Sequence, residues 1–406
     1  MLQLPHIRDV DVRGKIVFLR CDLNVPLQPK NGDGPLVIAD DTRIRASLHT
    51  IHWLLQKGAR VYVTSHLGRP KGKVIPEFSL KPVAKYFEQL LCMPVPLLED
   101  WMHADFKTFF NQLESGQMAV LENPRFWPAE TDNDERIAQK IADNIHIYCN
   151  DAFGTAHRAH LTTEGIPALT AHSYVGFLMH RELRMLNLLL QDDIQGPLVA
   201  VLGGGPKVEE KLPIIEFLAP RAHTFVLGGV TGQVFLQAQG IEIANLAISD
   251  KVISRATEIL KNQDQCGYRI EVPRDFLVAL DEDADPRITD SIPGVPENLK
   301  IFDIGPSTRK AFSAILEKAG SVIWNGPMGR FENRRYGGGT LAVARAIALS
   351  GSFSVAGGGD TMQAINRFGL NSYFDHVSTG GGASLELLAG KKLPGVEVLL
   401  EETPNA

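Results

Sequence analysis

The feature that most constrains this chain is an alternation repeated along almost its whole length: a short apolar run, a polar or glycine-rich turn, then a helical pattern. In the first half the runs are Lys15–Arg20, Arg60–Thr64, Met118–Leu121 and Ile145–Cys149. In the second they are Leu198–Leu202, Thr224–Leu227, Ser321–Trp324, Phe353–Ala356 and Asp375–Val377. Runs this short, separated by helical stretches, predict parallel strands linked by helices, an α/β fold. With 406 residues, one core is too small for the chain, and two domains are expected. Ser173–Leu190 reads as a connecting helix that ends in the turn signal Gln191–Pro197. The expected division is residues 1–172, a linker at 173–196, and residues 197–389. Two sheets joined by one helix imply a cleft between them that can close.

Several classes are disfavoured. A net charge of -6 argues against a broad surface for nucleic acid or anionic membrane. Cys21, Cys92, Cys149 and Cys266 are widely spaced and form no metal-binding or disulfide pattern. No signal-like start and no long apolar span is visible, so a cytoplasmic protein is expected.

Ligands of open α/β sheets bind at the carboxyl ends of the strands. In the first half, Arg69, Arg125 and Arg158 directly follow strand runs, and Arg43 lies in a fourth segment. An arginine fork matches phosphate or carboxylate with two parallel hydrogen bonds, and His66 and His157 stand nearby as further donors. In the second half the runs lead into Gly203-Gly204-Gly205-Pro206-Lys207, Gly357-Gly358-Gly359-Asp360-Thr361 and Ser378-Thr379-Gly380-Gly381-Gly382. Glycine turns that open helices bind anions through free N–H groups. Lys207 and Lys211, four apart, are expected on one helix face, Asp360 is a candidate magnesium ligand, and Thr361 a candidate helix cap. A nucleotide with its magnesium suits three such turns. Neither the P-loop string nor the dinucleotide fingerprint occurs.

The strings RCDLNVPL (20–27), DDTRIRASL (40–48), SHLGRPKG (65–72), LENPRF (121–126) and YCNDAFGTAHRAH (148–160) resemble phosphoglycerate kinase. So do GGGPKVEEK (203–211), DIGP (303–306), WNGPMGRFE (324–332), GGGDT (357–361) and HVSTGGGASLELLAGKKLPGV (376–396). The resemblance implies two Rossmann-like domains with helix-flanked parallel sheets, the first binding 3-phosphoglycerate or 1,3-bisphosphoglycerate and the second MgADP or MgATP. Residues 390–406 would return to the first domain, and the protein would be a monomer. Carried over by motif, Asp22, Asn24, Arg43, His66, Arg69, Arg125, His157 and Arg158 bind the glycerate. Gly204, Lys207, Lys211, Gly229, Asn325, Pro327, Glu332, Gly358, Gly359, Asp360 and Thr361 bind the nucleotide, with Asp360 linked to Mg²⁺ and Arg43 and Lys207 acting in catalysis.

The chain departs from the family pattern in three places. The Gly203–Lys207 turn is about one residue longer than usual, with Pro213 expected inside the following helix and Lys211 therefore less securely placed than Lys207. Val230 replaces a glycine, and Arg330 replaces a small apolar residue. Two other readings stand beside the kinase: a family member with weak or lost activity that binds ligand, and a Rossmann-type oxidoreductase.

Overall fold

The structure is a computed structural model that describes residues 4–30, 34–191, 196–243, 246–290 and 294–400. Two compact units emerge, one from the described residues of Met1–Leu183 with Lys392–Ala406, the other from Arg184–Lys391.

The first unit is built on six parallel strands: β1 (Ile16–Cys21), β2 (Arg60–Thr64), β3 (Leu97–Leu98), β4 (Met118–Leu121), β5 (Ile147–Asp151) and β6 (Ser173–Val175), in the order β3-β4-β2-β1-β5-β6. β1 is buried along its whole length because both faces are covered. Val17, Leu19 and Cys21 join one core cluster, while Phe18 meets Trp101, Phe110 and Tyr148 in a second aromatic layer. The second unit repeats the plan with β7 (Leu198–Leu202), β8 (Thr224–Leu227), β9 (Arg269–Glu271), β10 (Ser321–Asn325), β11 (Phe353–Gly357) and β12 (His376–Val377), ordered β9-β8-β7-β10-β11-β12. Val199, Val201, Val322 and Trp324 form the centre of its core.

In each sheet the first strand is followed by a neighbour on one side and, later in the chain, by a neighbour on the other. That reversal leaves a crevice at the carboxyl ends of β1 and β5, and again at those of β7 and β10. The polar residues of the sequence lie at these two places.

Several expectations change. The run expected at Ile145–Cys149 sits two residues later, because Asn150 and Asp151 continue the ladder beside Arg20 and Cys21. The expected helix Ser173–Leu190 begins only at Phe177; Ser173, Tyr174 and Val175 instead pair with β5 as an edge strand. Asp375 is outside β12, and its carboxylate accepts the Ser354 N–H at 2.9 Å. The turn expected at Gln191–Pro197 falls largely on 192–195, outside the described residues. Pro213 lies in the first turn of the helix Leu212–Leu218, where its missing N–H breaks no ladder, so it does not kink that helix. An antiparallel sheet of Asp275–Ala279, Arg287–Asp290 and Lys300–Ile304, absent from the sequence reading, adds a wall to the second unit.

Candidate active-site surfaces in the two units

In the first unit, the carboxyl ends of β1, β2, β4 and β5 bring the sequence-selected residues to one surface. Arg43, in the first turn of the helix Thr42–Gln56, places Nη1 2.9 Å from both oxygens of Asp22. Asn24 Oδ1 accepts the Gly68 N–H at 3.0 Å, and Arg125 Nη1 donates to the Gly68 carbonyl at 2.9 Å. Asn123 fixes that corner from below: its amide nitrogen donates to the carbonyls of Leu67 and Phe78, and its oxygen accepts the Arg125 N–H. Arg158 Nε donates to His157 Nε2 at 3.1 Å, so that ring nitrogen is unprotonated here. Arg69 is exposed; burial, then the nearby charge of Arg69, holds the Arg158 guanidinium pKa below its ordinary value.

The site is crowded with cations. Burial, then the charges of Arg158 and Arg20, bring Arg125 down to about 10. Burial also holds His66 well below the ordinary histidine range, helped by Arg125, Arg20, Arg158 and Arg43, so its imidazole is neutral at pH 7. Like charges held this close favour an anion between them, beyond what Asp22 and Glu130 supply.

The sequence reading missed Arg20. It is 1% exposed at the end of β1, with Nε donating to Thr162 Oγ1 at 2.9 Å and a further bond to the Cys21 carbonyl. Glu130, fully buried, accepts from Thr162 N at 3.0 Å and Thr162 Oγ1 at 2.9 Å, which gives the buried arginine a carboxylate behind one hydroxyl. The signal was present: an arginine inside an otherwise apolar strand run needs a buried partner.

In the second unit, glycine turns follow β7, β8, β10 and β11. Gly203 N donates to Asn325 O at 2.9 Å, Gly204 N to Pro327 O at 2.7 Å, and Val230 N to Gly204 O at 2.9 Å. Packing this tight leaves no room for side chains. Gly326 has φ +96°, and a Cβ there would stand 2.4 Å from the Gly203 carbonyl; Gly229 has φ +53°, and a Cβ there would stand 2.4 Å from the Gly204 carbonyl.

The turns border a cleft of about 370 Å³. Gly204, Gly205 and Gly229 line one part, with Asp360; Ile301, Phe302, Pro327 and Met328 line another, with Val230, Gln233, Arg330 and Glu332 completing it. The helices Gly229–Ala238 and Gly359–Phe368 begin after Gly228 and Gly358, neither of which offers a capping side chain. At the first helix the Gly229 and Val230 N–H groups are taken by the Met328 and Gly204 carbonyls, so the start of Gly359–Phe368 is the better place for an anion.

The remaining selected residues lie around the cleft rather than along it. Asn325 is buried and donates from Nδ2 to the Gly357 carbonyl at 2.8 Å, beneath the Gly358-Gly359 turn. Thr361 is buried too, but it does not cap its own helix: Oγ1 accepts the Gly326 N–H at 2.7 Å and so ties two turns together. Lys207 and Lys211 do not share a helix face, because a 3-10 turn (Val208–Glu210) intervenes before the helix that starts at Leu212. Lys207 is exposed and pairs with Glu210 at 3.5 Å. Lys211, by contrast, is buried, and desolvation brings its ammonium down to about 8 against the attraction of Glu210 and Asp360. Arg330 bridges to Glu282 at 3.2 Å on the rim.

A family model described as phosphoglycerate kinase matches residues 7–391. Curated phosphoglycerate kinases of Herpetosiphon aurantiacus and Solibacter usitatus are 43% and 44% identical, each over 97% of this chain and 98% of its own length. Among solved structures, the phosphoglycerate kinase of Coxiella burnetii superposes with a TM-score of 0.87 at 36% identity, covering 98% of this chain and 99% of that one. The Pyrococcus horikoshii enzyme gives 0.83 at 32% identity, covering 98% of each. These relatives speak for the kinase, and nothing among them favours a ligand-binding protein without activity or an oxidoreductase. With both strand-end sites present and the match running almost from end to end, the chain belongs to the phosphoglycerate kinase family, phosphotransferases that act on a carboxyl group.

Proposed function

We propose that the arginine surface of the first unit binds 3-phosphoglycerate or 1,3-bisphosphoglycerate, and that the glycine-bordered cleft of the second binds MgADP or MgATP. The observation that carries this assignment is the crowding of Arg20, Arg43, Arg125 and Arg158 about a neutral, buried His66. Such a cluster suits a small ligand with phosphate at one end and carboxylate at the other. The second surface has the complementary character, with the N-terminus of the helix Gly359–Phe368 for phosphates and an apolar wall for a base.

The reaction needs no general base. The nucleophile is a phosphate oxygen of ADP in one direction and a carboxylate in the other, and both are ionised at pH 7. Catalysis therefore rests on positioning and on stabilising charge over the moving phosphoryl oxygens. Arg43 and Lys207 are the cations we assign to that charge. Lys207 is suited to it because its side chain is exposed, with Glu210 3.5 Å away at the surface. Direct in-line transfer requires the two substrates to meet, so approach of the units is part of the proposed cycle and would also exclude water from the acyl phosphate.

Asp360 is the carboxylate assigned to the magnesium ion that accompanies the nucleotide. Among the described residues, no group of three His, Cys, Asp or Glu side chains could hold a metal alone. One carboxylate together with phosphate oxygens is an ordinary magnesium arrangement. We further propose a monomeric, cytoplasmic enzyme; no helix among the described residues is long and apolar enough to cross a membrane.

The test is a coupled assay of ATP-dependent 3-phosphoglycerate phosphorylation with Mg²⁺, run beside Lys207→Ala. Turnover that falls at least about 100-fold in the variant supports the assignment. Unchanged turnover removes Lys207 from the transition state.

A further inference from the structure

The motif Asp303-Ile304-Gly305-Pro306 has no place in the chemistry above, yet its aspartate is 1% exposed and holds together three segments of the second unit. Asp303 lies on the strand Lys300–Ile304, next to Phe302, whose side chain borders the cleft. The ladder with Asp275–Ala279 is irregular at Phe302, and Asp303 is not among the residues lining the cleft, so its carboxylate works behind the wall. Its Oδ2 accepts the Gly339 N–H at 2.7 Å, at the start of the helix Gly338–Ser350. The same oxygen receives Arg309 Nη2 at 2.9 Å, and Oδ1 accepts the Ile304 N–H at 2.9 Å.

The third segment is the turn after β10. A Cβ on Gly329 would lie 2.3 Å from Asp303 Oδ1, so the turn backbone rests directly on the carboxylate. From there Arg330 N donates to the Phe302 carbonyl at 2.8 Å, and Met328 N to Thr340 Oγ1 at 3.1 Å. Phe302 is braced from the other side by Tyr336, stacked at 4.6 Å. The carboxylate thus locks strand, turn and helix into the wall formed by Ile301, Phe302, Met328 and Gly329. That wall is apolar, and the Gly203–Gly204 and Gly228–Gly229 turns are bonded to its Pro327–Met328 end.

We infer that Asp303 is a positioning residue for the nucleoside end of the nucleotide, setting the wall against which a purine base packs without touching it. The inference rests on the reading that the cleft takes the nucleotide. Burial raises the Asp303 carboxyl to about 6, despite the Gly339 N–H and Arg309, so it remains largely ionised at pH 7. An amide in its place turns one acceptor into a donor facing other donors.

The experiment measures steady-state constants and nucleotide affinity by calorimetry for the wild type, Asp303→Asn and Gly229→Ala. The expected result for Asp303→Asn is a KM and a Kd for MgATP about 10-fold higher, with kcat and the KM for 3-phosphoglycerate nearly unchanged, the signature of lost uniform binding. A role in folding alone would lower the active fraction, and hence kcat, with both KM values intact; that outcome overturns the inference. Gly229→Ala tests the underlying reading, because its Cβ would meet the Gly204 carbonyl inside the cleft. If Gly229→Ala abolishes nucleotide binding while Asp303→Asn does not change it, the cleft assignment stands and the role of Asp303 falls. If neither variant changes it, both fall together. Should Asp303→Asn not fold, Arg309→Met keeps the carboxylate but removes one of its donors. A MgATP KM about 3-fold higher in Arg309→Met supports the inference, and no change overturns it.

Discussion

Replacing Lys211 with methionine should make the protein more stable and worse at its task. The residue is 9% exposed, and desolvation brings its ammonium from an ordinary value near 10.5 down to about 8. That gap corresponds to roughly 3 kcal/mol by which the fold disfavours the charged form. That cost is already net of the attraction of Glu210 and Asp360; methionine fills similar volume without charge, and after about 1 kcal/mol for imperfect packing a net gain of about 2 kcal/mol is expected. For a unit of this size, that raises the melting temperature by about 4–8 °C.

The sign with pH follows from proton counts. Below pH 8 the lysine is charged in both states and the fold bears the full cost. Between about pH 8 and 10.5 the unfolded chain still holds the proton while the folded one has released it, so wild-type stability rises with pH. The advantage of Lys211→Met should therefore shrink across that window. Calorimetric scans at pH 7 and above check both statements. In parallel, kcat/KM for MgATP should fall above pH 8 in the wild type, about 10-fold by pH 9, and show no such step in the variant. A melting temperature at or below that of the wild type at pH 7 would refute the reasoning, because a buried charge would then carry no cost.

Two further outcomes are expected in the first unit. Arg43→Ala should lower kcat by at least about 100-fold with a smaller effect on the KM for 3-phosphoglycerate, since its charge is assigned to the transition state; an unchanged kcat in the coupled assay removes it from that role. Arg20→Met should cost about 3–5 kcal/mol in urea unfolding, because Glu130 would keep its burial and lose its cation; a loss under about 1 kcal/mol would mean that Thr162 alone satisfies Glu130.

The central strands were legible because they are short, apolar and followed by turns. Arg60–Thr64, Met118–Leu121, Leu198–Leu202 and Thr224–Leu227 stand as the sequence bounds them. Partnering across the sheet decided the others. Nothing local in Ser173-Tyr174-Val175 separates it from the helix that follows; only β5 makes it a strand. The antiparallel sheet escaped notice because Arg287–Asp290 is mostly exposed and polar, and it exists only by pairing with Asp275–Ala279. Around the sites, the sequence marked the charged residues but not what holds them. The distant bonds from Glu130 to Thr162 and from Asp303 to Gly339 have no periodic signature, and proximity of this kind is set by topology. The placement of Lys211 was misjudged for a related reason: a 3-10 turn, invisible in a four-residue spacing, rotates it inward.

The segment near the carboxyl terminus bears on how the protein is made. Asn150, at the end of a central strand, donates from Nδ2 to the Gly395 carbonyl across a sequence separation of 245, and Gly395 N donates to the Ala156 carbonyl. A ribosome releases the first unit's sheet long before it releases residue 395. During synthesis the amino-terminal unit must therefore wait with these groups unsealed until residues 184–391 have emerged. Closing so long a loop costs roughly 5 kcal/mol in an unfolded chain, and less once the intervening residues are compact. The turn at Gly395 thus acts as a completion mark: the unit translated first cannot make all its bonds until residue 395 has been added.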